Sequence, residues 1–183
     1  MRGRSLVSIA VGLAVLVTSI AALAKPVPSP YRIAQVKLTE ESRVTTNGMG
    51  SVLVGMTIEE ASRSTGVRLI QSGGSDDGCY TYSPPQVGLK GVSFMVWKGR
   101  IVRVDVFMNY RVATLRGVRV GDSEERVRSL YPKQIQSIGQ TLVFVPKDAA
   151  DKDYRIIFQL DRNRRVMSYR AGHISDVFSP ELC

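Results

Sequence analysis

The sequence predicts an α+β protein of two tandem repeats, each a short helix packed on an antiparallel β-sheet. The first observation is a glycine turn and helix start, Val54-Gly55-Met56-Thr57, with Glu60 at the capping-box spacing from Thr57. The second is the return of this pattern as Val120-Gly121-Asp122-Ser123 with Glu125. The third is that a strand and then a hairpin follow each predicted helix. Together they divide the chain into repeat 1, residues 44–112, and repeat 2, residues 113–183.

The N-terminal residues have the pattern of an export signal. Arg2 and Arg4 precede an uncharged apolar run from Leu6 to Leu23, and Ala22-Leu23-Ala24 has the small residues of a cleavage site. We expect residues 1–24 to be a removed signal peptide. A permanent membrane anchor is the alternative, because the run approaches the length that spans a bilayer. Residues 25–43, rich in proline at first, are expected to be a linker or edge segment, and the protein to be periplasmic or secreted.

The charge of the chain restricts its partners. The net charge is +9, and the signal peptide contains two arginines and no acid, so the remainder carries +7. The basic residues are spread along the sequence without the cluster of interleaved aromatics typical of nucleic-acid binding. An acidic protein partner in the cell envelope, or an anionic envelope polymer, is a better electrostatic match.

The two cysteines, Cys79 and Cys183, predict one disulfide, because an exported chain enters an oxidising compartment. Two free thiols or an intermolecular bridge are the alternatives. An intramolecular bridge would tie the end of the chain to the sheet of repeat 1.

Repeat 1 contains a predicted helix from about residue 58 to 65, ended by Gly66, and a hairpin of residues 92–96 and 100–107. A two-residue loop in this hairpin would scatter the valines over both faces. A three-residue loop ending at Gly99 in the left-handed conformation puts the apolar residues on one face, so we expect the longer loop. That face carries Val92, Phe94, Val96, Val102, Val104 and Val106; the other carries Ser93, Met95, Ile101, Arg103 and Asp105.

Repeat 2 has a matching order of elements. A helix is expected over residues 123–131, ended by Pro132, and a strand over 141–145. The last hairpin pairs residues 154–160 with 165–171. Its predicted core residues are Ile156, Phe158 and Leu160 opposite Met167, Tyr169 and Ala171.

The solvent-facing side of the first hairpin is the predicted binding surface. One helix can cover only one side of a sheet, so the side opposite the valines should be open. Aromatic, methionine and arginine side chains are enriched in interfaces. The candidate binding residues are Met95, Trp97, Ile101, Arg103, Tyr80 and Tyr82. The strand of Tyr80 and Tyr82 is too short to decide which face they occupy.

The sequence gives no catalytic or metal-binding pattern. His173 has no nucleophile at motif spacing, so it is interpreted as a surface residue. The acids Asp76-Asp77, and Asp148, Asp151 and Asp153, do not match a calcium loop. We therefore expect no catalytic residue, no metal and no cofactor.

The repeated motif resembles two known groups. Val54-Gly55-Met56-Thr57 with Glu60, and Val120-Gly121-Asp122-Ser123 with Glu125, within residues 52–172, resemble the tandem-repeat beta-lactamase inhibitory proteins. They are similar, more loosely, to the single-repeat envelope lipoproteins of the BamE (SmpA/OmlA) group. The resemblance to the inhibitors implies a sheet whose concave face grips a protein, with the helices packed behind. The cysteines are placed differently here.

These observations favour an exported, non-enzymatic module that binds a protein partner through the solvent-facing side of its sheet. The alternative is an envelope structural or surface protein that binds anionic polymers through a basic field of Arg100, Arg103, Arg116, Arg119, Arg164 and Arg165. An enzyme with a pocket at His173 ranks third.

Overall fold

One antiparallel sheet of eight strands dominates the computed structural model, which describes residues 36–75 and 77–179. A separate sheet of three two-residue strands precedes it. The strands, in chain order, are β1 (Val44–Thr45), β2 (Gly48–Met49), β3 (Val52–Leu53), β4 (Ile70–Gly74), β5 (Cys79–Ser83), β6 (Val92–Trp97), β7 (Arg100–Phe107), β8 (Ile135–Ile138), β9 (Thr141–Phe144), β10 (Tyr154–Leu160) and β11 (Val166–His173). The small sheet has the order β1-β2-β3, and the large one β4-β5-β6-β7-β11-β10-β9-β8.

Three short α-helices accompany the sheets. Helix α1 is Ile58–Thr65, α2 is Glu124–Leu130 and α3 is Ile174–Val177, and there are 3₁₀ turns at Val87–Leu89 and Ala149–Asp151. The predicted helix starts are confirmed. Thr57 Oγ1 accepts from Glu60 N at 3.2 Å and Glu60 Oε2 accepts from Thr57 N at 2.9 Å, a complete capping box, while Ser123 caps α2. Within the described residues, none of the helices is long and apolar enough to cross a membrane.

The predicted fold class, two tandem helix-on-sheet repeats, is wrong. Strands β7 and β11 pair side by side, with Val104 opposite Ala171, so both halves of the chain lie in one continuous sheet. The described residues also belong to one compact unit. A helix of eight or seven residues leaves much of a four-stranded sheet uncovered, and an unpaired strand of eight residues leaves a row of free backbone groups. Pairing β7 with β11 satisfies these backbone groups and joins the apolar faces of the two halves into one core.

A single main core lies on one face of the large sheet. It combines side chains from both halves of the chain, including Phe94 and Val104 from the first and Phe158 and Tyr169 from the second, all at most 2% exposed. The Tyr169 hydroxyl donates to the Val112 carbonyl at 3.1 Å, which satisfies this buried polar group. Burial raises the pKa of the Tyr169 phenol far above its ordinary value.

The body of the first hairpin has the predicted faces but not the predicted pairing. Val92 pairs with Val106 and Phe94 with Val104, whereas a three-residue loop would pair them with Val104 and Val102. Trp97 pairs with Arg100, so the turn has two residues, Lys98 and Gly99, with φ of 50° and 77°. A bulge at Val102 then shifts the register by one residue. The predicted left-handed Gly99 is confirmed, and the predicted three-residue loop is wrong. The bulge supplies the extra residue that the apolar pattern required.

The last hairpin also contains a bulge. Ile156 lies opposite Ala171 and Phe158 opposite Tyr169, as predicted, but Leu160 lies opposite Val166. Met167 occupies the bulge and is 53% exposed, so its predicted place in the core is wrong. Period-two alternation cannot be continued through a bulge, because the extra residue reverses the faces.

The chain ends carry predictions that the described residues do not reach. The predicted signal peptide, residues 1–24, and most of the 25–43 segment lie outside them, as does Cys183. Cys79 is buried on β5, and there is no free cysteine in the part of the chain that the structure describes. Its disulfide with Cys183 stays a prediction.

Candidate binding groove on the second face of the sheet

Three residues of the predicted binding surface are buried. The exposed fraction is 9% for Met95, 1% for Ile101 and 0% for Arg103, so the expectation that they face solvent is wrong. Ile101 is in the main core because the bulge at Val102 reverses its face. Met95 and Arg103 do lie on the second face of the sheet. Arg103 is covered by the C-terminal segment, because α3 packs on β7, β10 and β11.

The aromatic residues of the predicted surface are half-buried. Tyr80 pairs with Val96 and Tyr82 with Phe94, so both tyrosines lie on the face of the main core and pack against it. Trp97 is at the hairpin tip, where the Lys98 ammonium lies 5.7 Å from its ring centroid. The two tyrosines therefore use part of their apolar surface within the protein, and the role of all three aromatic residues in binding stays a prediction.

Helix α3 gives the second face a small core of its own. Val177 is fully buried against Val143 and Ile157. His173 is the N-cap of this helix: its Nδ1 lies 2.8 Å from Ser175 Oγ and accepts from the Ser175 backbone N–H at 3.4 Å. Capping accounts for His173 without catalysis.

A buried arginine ties this C-terminal segment to the sheet. Arg103 Nη1 donates to the carbonyls of Asp176 at 2.8 Å and Ser179 at 2.9 Å, and Arg103 Nε donates to Asp105 Oδ2 at 2.9 Å. Arg170 Nη1 also donates to the Ser179 carbonyl, at 2.7 Å. Two cations and one carboxylate thus hold the end of the described chain across β7 and β11.

A glycine makes room for this arginine. Gly172 pairs with Arg103 across the β7–β11 ladder, and a Cβ at position 172 would lie 2.7 Å from Arg103 Cβ and 2.8 Å from its Cα. Such distances are shorter than van der Waals contact, so the site requires glycine although its φ is ordinary.

Burial perturbs the charged groups of this cluster. It raises the pKa of the Asp105 carboxyl above its ordinary value, although the Arg103 guanidinium acts in the opposite direction. Burial, with the neighbouring charge of Arg103, lowers the pKa of Arg170. The cluster is therefore held in a poorly solvated environment in which each lost partner is costly.

Beside this cluster the second face opens into a groove. A cavity of about 310 Å³ is lined by side chains of β7, β10 and β11, and a smaller one of about 100 Å³ shares Ile157 and Arg170 with it. We call the two cavities together the open groove. Its side chains are Asp105, Phe107, Ile138, Thr141, Ile157, Gln159, Ser168, Arg170 and Phe178.

The open groove combines apolar walls with a few polar groups. Phe107 is 44% exposed and Phe178 46% exposed, at the two ends of the groove, and Ile157 is buried in its floor. Half-buried Arg170 lies between them. Thr141 Oγ1 donates to Gln159 Oε1 at 3.0 Å, which orients the amide. This composition suits the binding of a surface with apolar and hydrogen-bonding groups.

None of these groove residues was among the sequence candidates for binding. Alternation along β7 places Asp105 on the second face, but nothing in the sequence shows that β11 lies beside β7. Arg170 and Ser168 therefore had no predicted neighbours there. The one available signal was Gly172, a glycine inside a strand, which often marks a close approach.

The arginines of the predicted basic field make local contacts. Arg100 Nη1 donates to the Gly55 carbonyl at 2.7 Å, Arg165 Nη1 to the Gly121 carbonyl at 2.9 Å, and Arg116 stacks over the Tyr131 ring at 5.1 Å. Arg103 is buried, as described above. Among the described residues, no cluster of three or more histidines, cysteines or acids could hold a metal.

The fold and groove thus define an antiparallel β-sheet protein with one closed face and one partly open face. Comparison of the structure with solved structures finds a similar chain in the crystal structure of the uncharacterised protein yfeY from Escherichia coli. The two are 15% identical, with a TM-score of 0.49, over 72% of this chain and 99% of that one. No protein-family model matches the sequence. No curated protein matches it either.

Proposed function

We propose that this protein is an exported, non-enzymatic binding module that holds a protein partner in the open groove. The observation that carries the proposal is the pair of exposed aromatic side chains, Phe107 and Phe178, on either side of Arg170. Exposed phenylalanines are unfavourable in water, and aromatic and arginine residues supply much of the binding energy of interfaces. The signal-peptide pattern of residues 1–24 supports a location in the cell envelope.

This proposal keeps the second face of the sheet as the binding surface but moves the site along it. The original candidates Met95 and Arg103 are covered, whereas the groove between β7 and β9 is accessible. Binding of anionic polymers by surface charge ranks second, because the local contacts of Arg100, Arg116 and Arg165 already account for these residues structurally.

The test compares matched exposed-residue variants. Phe107→Ser and Phe178→Ser change the groove, whereas Val87→Ser changes a 91% exposed apolar residue outside it. The wild-type protein is immobilised, an envelope extract is passed over it, and the retained protein is identified and purified. Its dissociation constant is then measured against each variant.

We expect each groove variant to weaken binding about fivefold or more, which is the effect of losing roughly 1 kcal/mol. Val87→Ser should bind as the wild type does, and thermal unfolding should show that all three variants remain folded. Normal affinity in both groove variants, or a loss confined to Val87→Ser, would contradict the proposal.

A further inference from the structure

The two outer strands of the large sheet differ in how their edges are protected. Strand β4 has a bulge between Gln71 and Gly73, and the Ser72 hydroxyl donates to the Thr81 carbonyl at 3.3 Å. Bulges and irregular edge strands hinder the pairing of a further strand. This edge of the sheet is therefore a poor template for strand addition.

Strand β8 lacks this protection. Its sequence, Ile135-Gln136-Ser137-Ile138, has no charge, proline or glycine, and it pairs with β9 without a bulge. Its last three residues are exposed, Ile138 to 59%, and no described strand pairs with its outer side. A regular edge strand whose own residues are exposed and uncharged is a template for another extended backbone.

The β8 edge is continuous with the open groove. Ile138 lines the smaller cavity together with Arg170 and Phe178. Because the side chains of a strand alternate between faces, a strand added to β8 would place every second side chain on the groove side of the sheet. Backbone pairing at the edge and side-chain contacts in the groove can then act on one ligand.

The ends of β8 are basic. Arg128 donates to Ser137 Oγ, Arg164 Nη1 donates to the Gly139 carbonyl at 3.4 Å, and Lys133 is exposed just before the strand. Glu124 pairs with both arginines. Three cations against one carboxylate favour an acidic ligand. They oppose pairing with a second copy of this chain, because the basic residues of the two β8 strands would lie close together and repel each other.

We propose that β8 is a docking edge for an extended segment of a protein partner, which adds as a ninth strand. The segment has uncharged, partly apolar residues at its centre and acidic residues at both ends. This inference rests on the proposed function, because it specifies how the partner of the open groove is held.

The test uses the chain without residues 1–24 and a synthetic peptide of alternating valine and threonine with two glutamates at each end. The same peptide with lysines in place of the glutamates is the matched ligand control. Ile138→Asp alters the β8 edge, and Ile70→Asp alters a 53% exposed isoleucine on the β4 edge. Fluorescence anisotropy gives the affinity, and amide hydrogen exchange locates the bound peptide.

We expect the acidic peptide to bind at least tenfold more tightly than the lysine peptide and to slow exchange in residues 135–138. Ile138→Asp should weaken its binding at least tenfold, and Ile70→Asp less than twofold. Failure of the acidic peptide to bind, equal effects of both variants, or protection of β4 instead would overturn the inference. So would a dimer in solution that Ile138→Asp dissociates, because a second copy would then occupy the edge.

The two proposals can fail separately. Suppose that Phe107→Ser and Phe178→Ser abolish retention of the partner, but ligand binding does not slow amide exchange in residues 135–138. The partner then binds in the open groove and does not pair with β8. The proposed function then stands and the docking edge is refuted.

Discussion

Truncation of Arg103 tests the buried cluster that holds the C-terminal segment on the second face of the sheet. Arg103→Ala removes a fully buried guanidinium and leaves the Asp105 carboxylate without its ion-pair partner at 2.9 Å. It also leaves the carbonyls of Asp176 and Ser179 with one donor fewer each. Breaking a buried ion pair by removing one partner destabilises proteins by about 3–5 kcal/mol. We expect a loss of that size in the free energy of unfolding.

Matched variants separate the charge effect from the loss of volume. Arg170→Ala removes a half-buried arginine that donates to one carbonyl, so a loss of about 1 kcal/mol is expected. Adding Asp105→Asn to Arg103→Ala removes the unpaired carboxylate, and the double variant should regain part of the lost stability. The measurement is urea denaturation of each variant, with the interaction energy taken from the double-mutant cycle.

If the free energy of unfolding of Arg103→Ala lies within 1 kcal/mol of the wild-type value, Arg103 does not form a buried ion pair. A loss of that size is typical of an arginine whose ion pair is exposed to solvent. A double variant no more stable than Arg103→Ala would show that lost packing, and not the unpaired charge, determines the effect.

Three further predictions follow from individual positions. Burial raises the pKa of Asp105 in the folded state, so ionisation of this carboxyl at higher pH destabilises the fold. The wild type should therefore gain stability relative to Asp105→Asn as the pH falls from neutral towards about 4. Urea denaturation of both proteins at the two pH values measures this difference in stability, and a difference that does not change with pH would exclude a raised pKa. Gly99→Val should lower stability by about 1–3 kcal/mol, because valine must adopt a φ of 77°, and an unchanged denaturation midpoint would contradict the left-handed turn. Thiol titration of the unfolded, unreduced protein without residues 1–24 should find no free thiol at Cys79 or Cys183, whereas two free thiols would exclude the disulfide.

The helix starts and the faces of the first hairpin were predictable from local chemistry. Thr57 and Glu60 specify a helix start because both capping hydrogen bonds lie within four residues. Gly99 specifies a left-handed residue, and the alternating valines of β6 and β7 specify which face of the hairpin is apolar. Each of these features is determined by residues that are close together in the sequence, so a single sequence is sufficient to predict it.

The arrangement of the whole sheet and the groove was not predictable in the same way. Pairing of β7 with β11 joins Val104 to Ala171, and no residue of either strand specifies its partner. Helix α3 has only four residues, and nothing in its sequence indicated that it would cover Arg103. Without these two facts, alternation alone made Arg103 appear open to solvent. The same alternation correctly placed Asp105 on the second face, next to the groove.

The position of the partner is tested most directly by photo-crosslinking. The crosslinker p-benzoylphenylalanine replaces Phe107 or Phe178 in the open groove, or Val87 as an exposed apolar control outside it. The protein that the wild type retains from an envelope extract is added, and the crosslinked product is identified by mass spectrometry. We expect crosslinks to that protein from positions 107 and 178 and none from position 87. Crosslinks from position 87 alone would contradict this expectation.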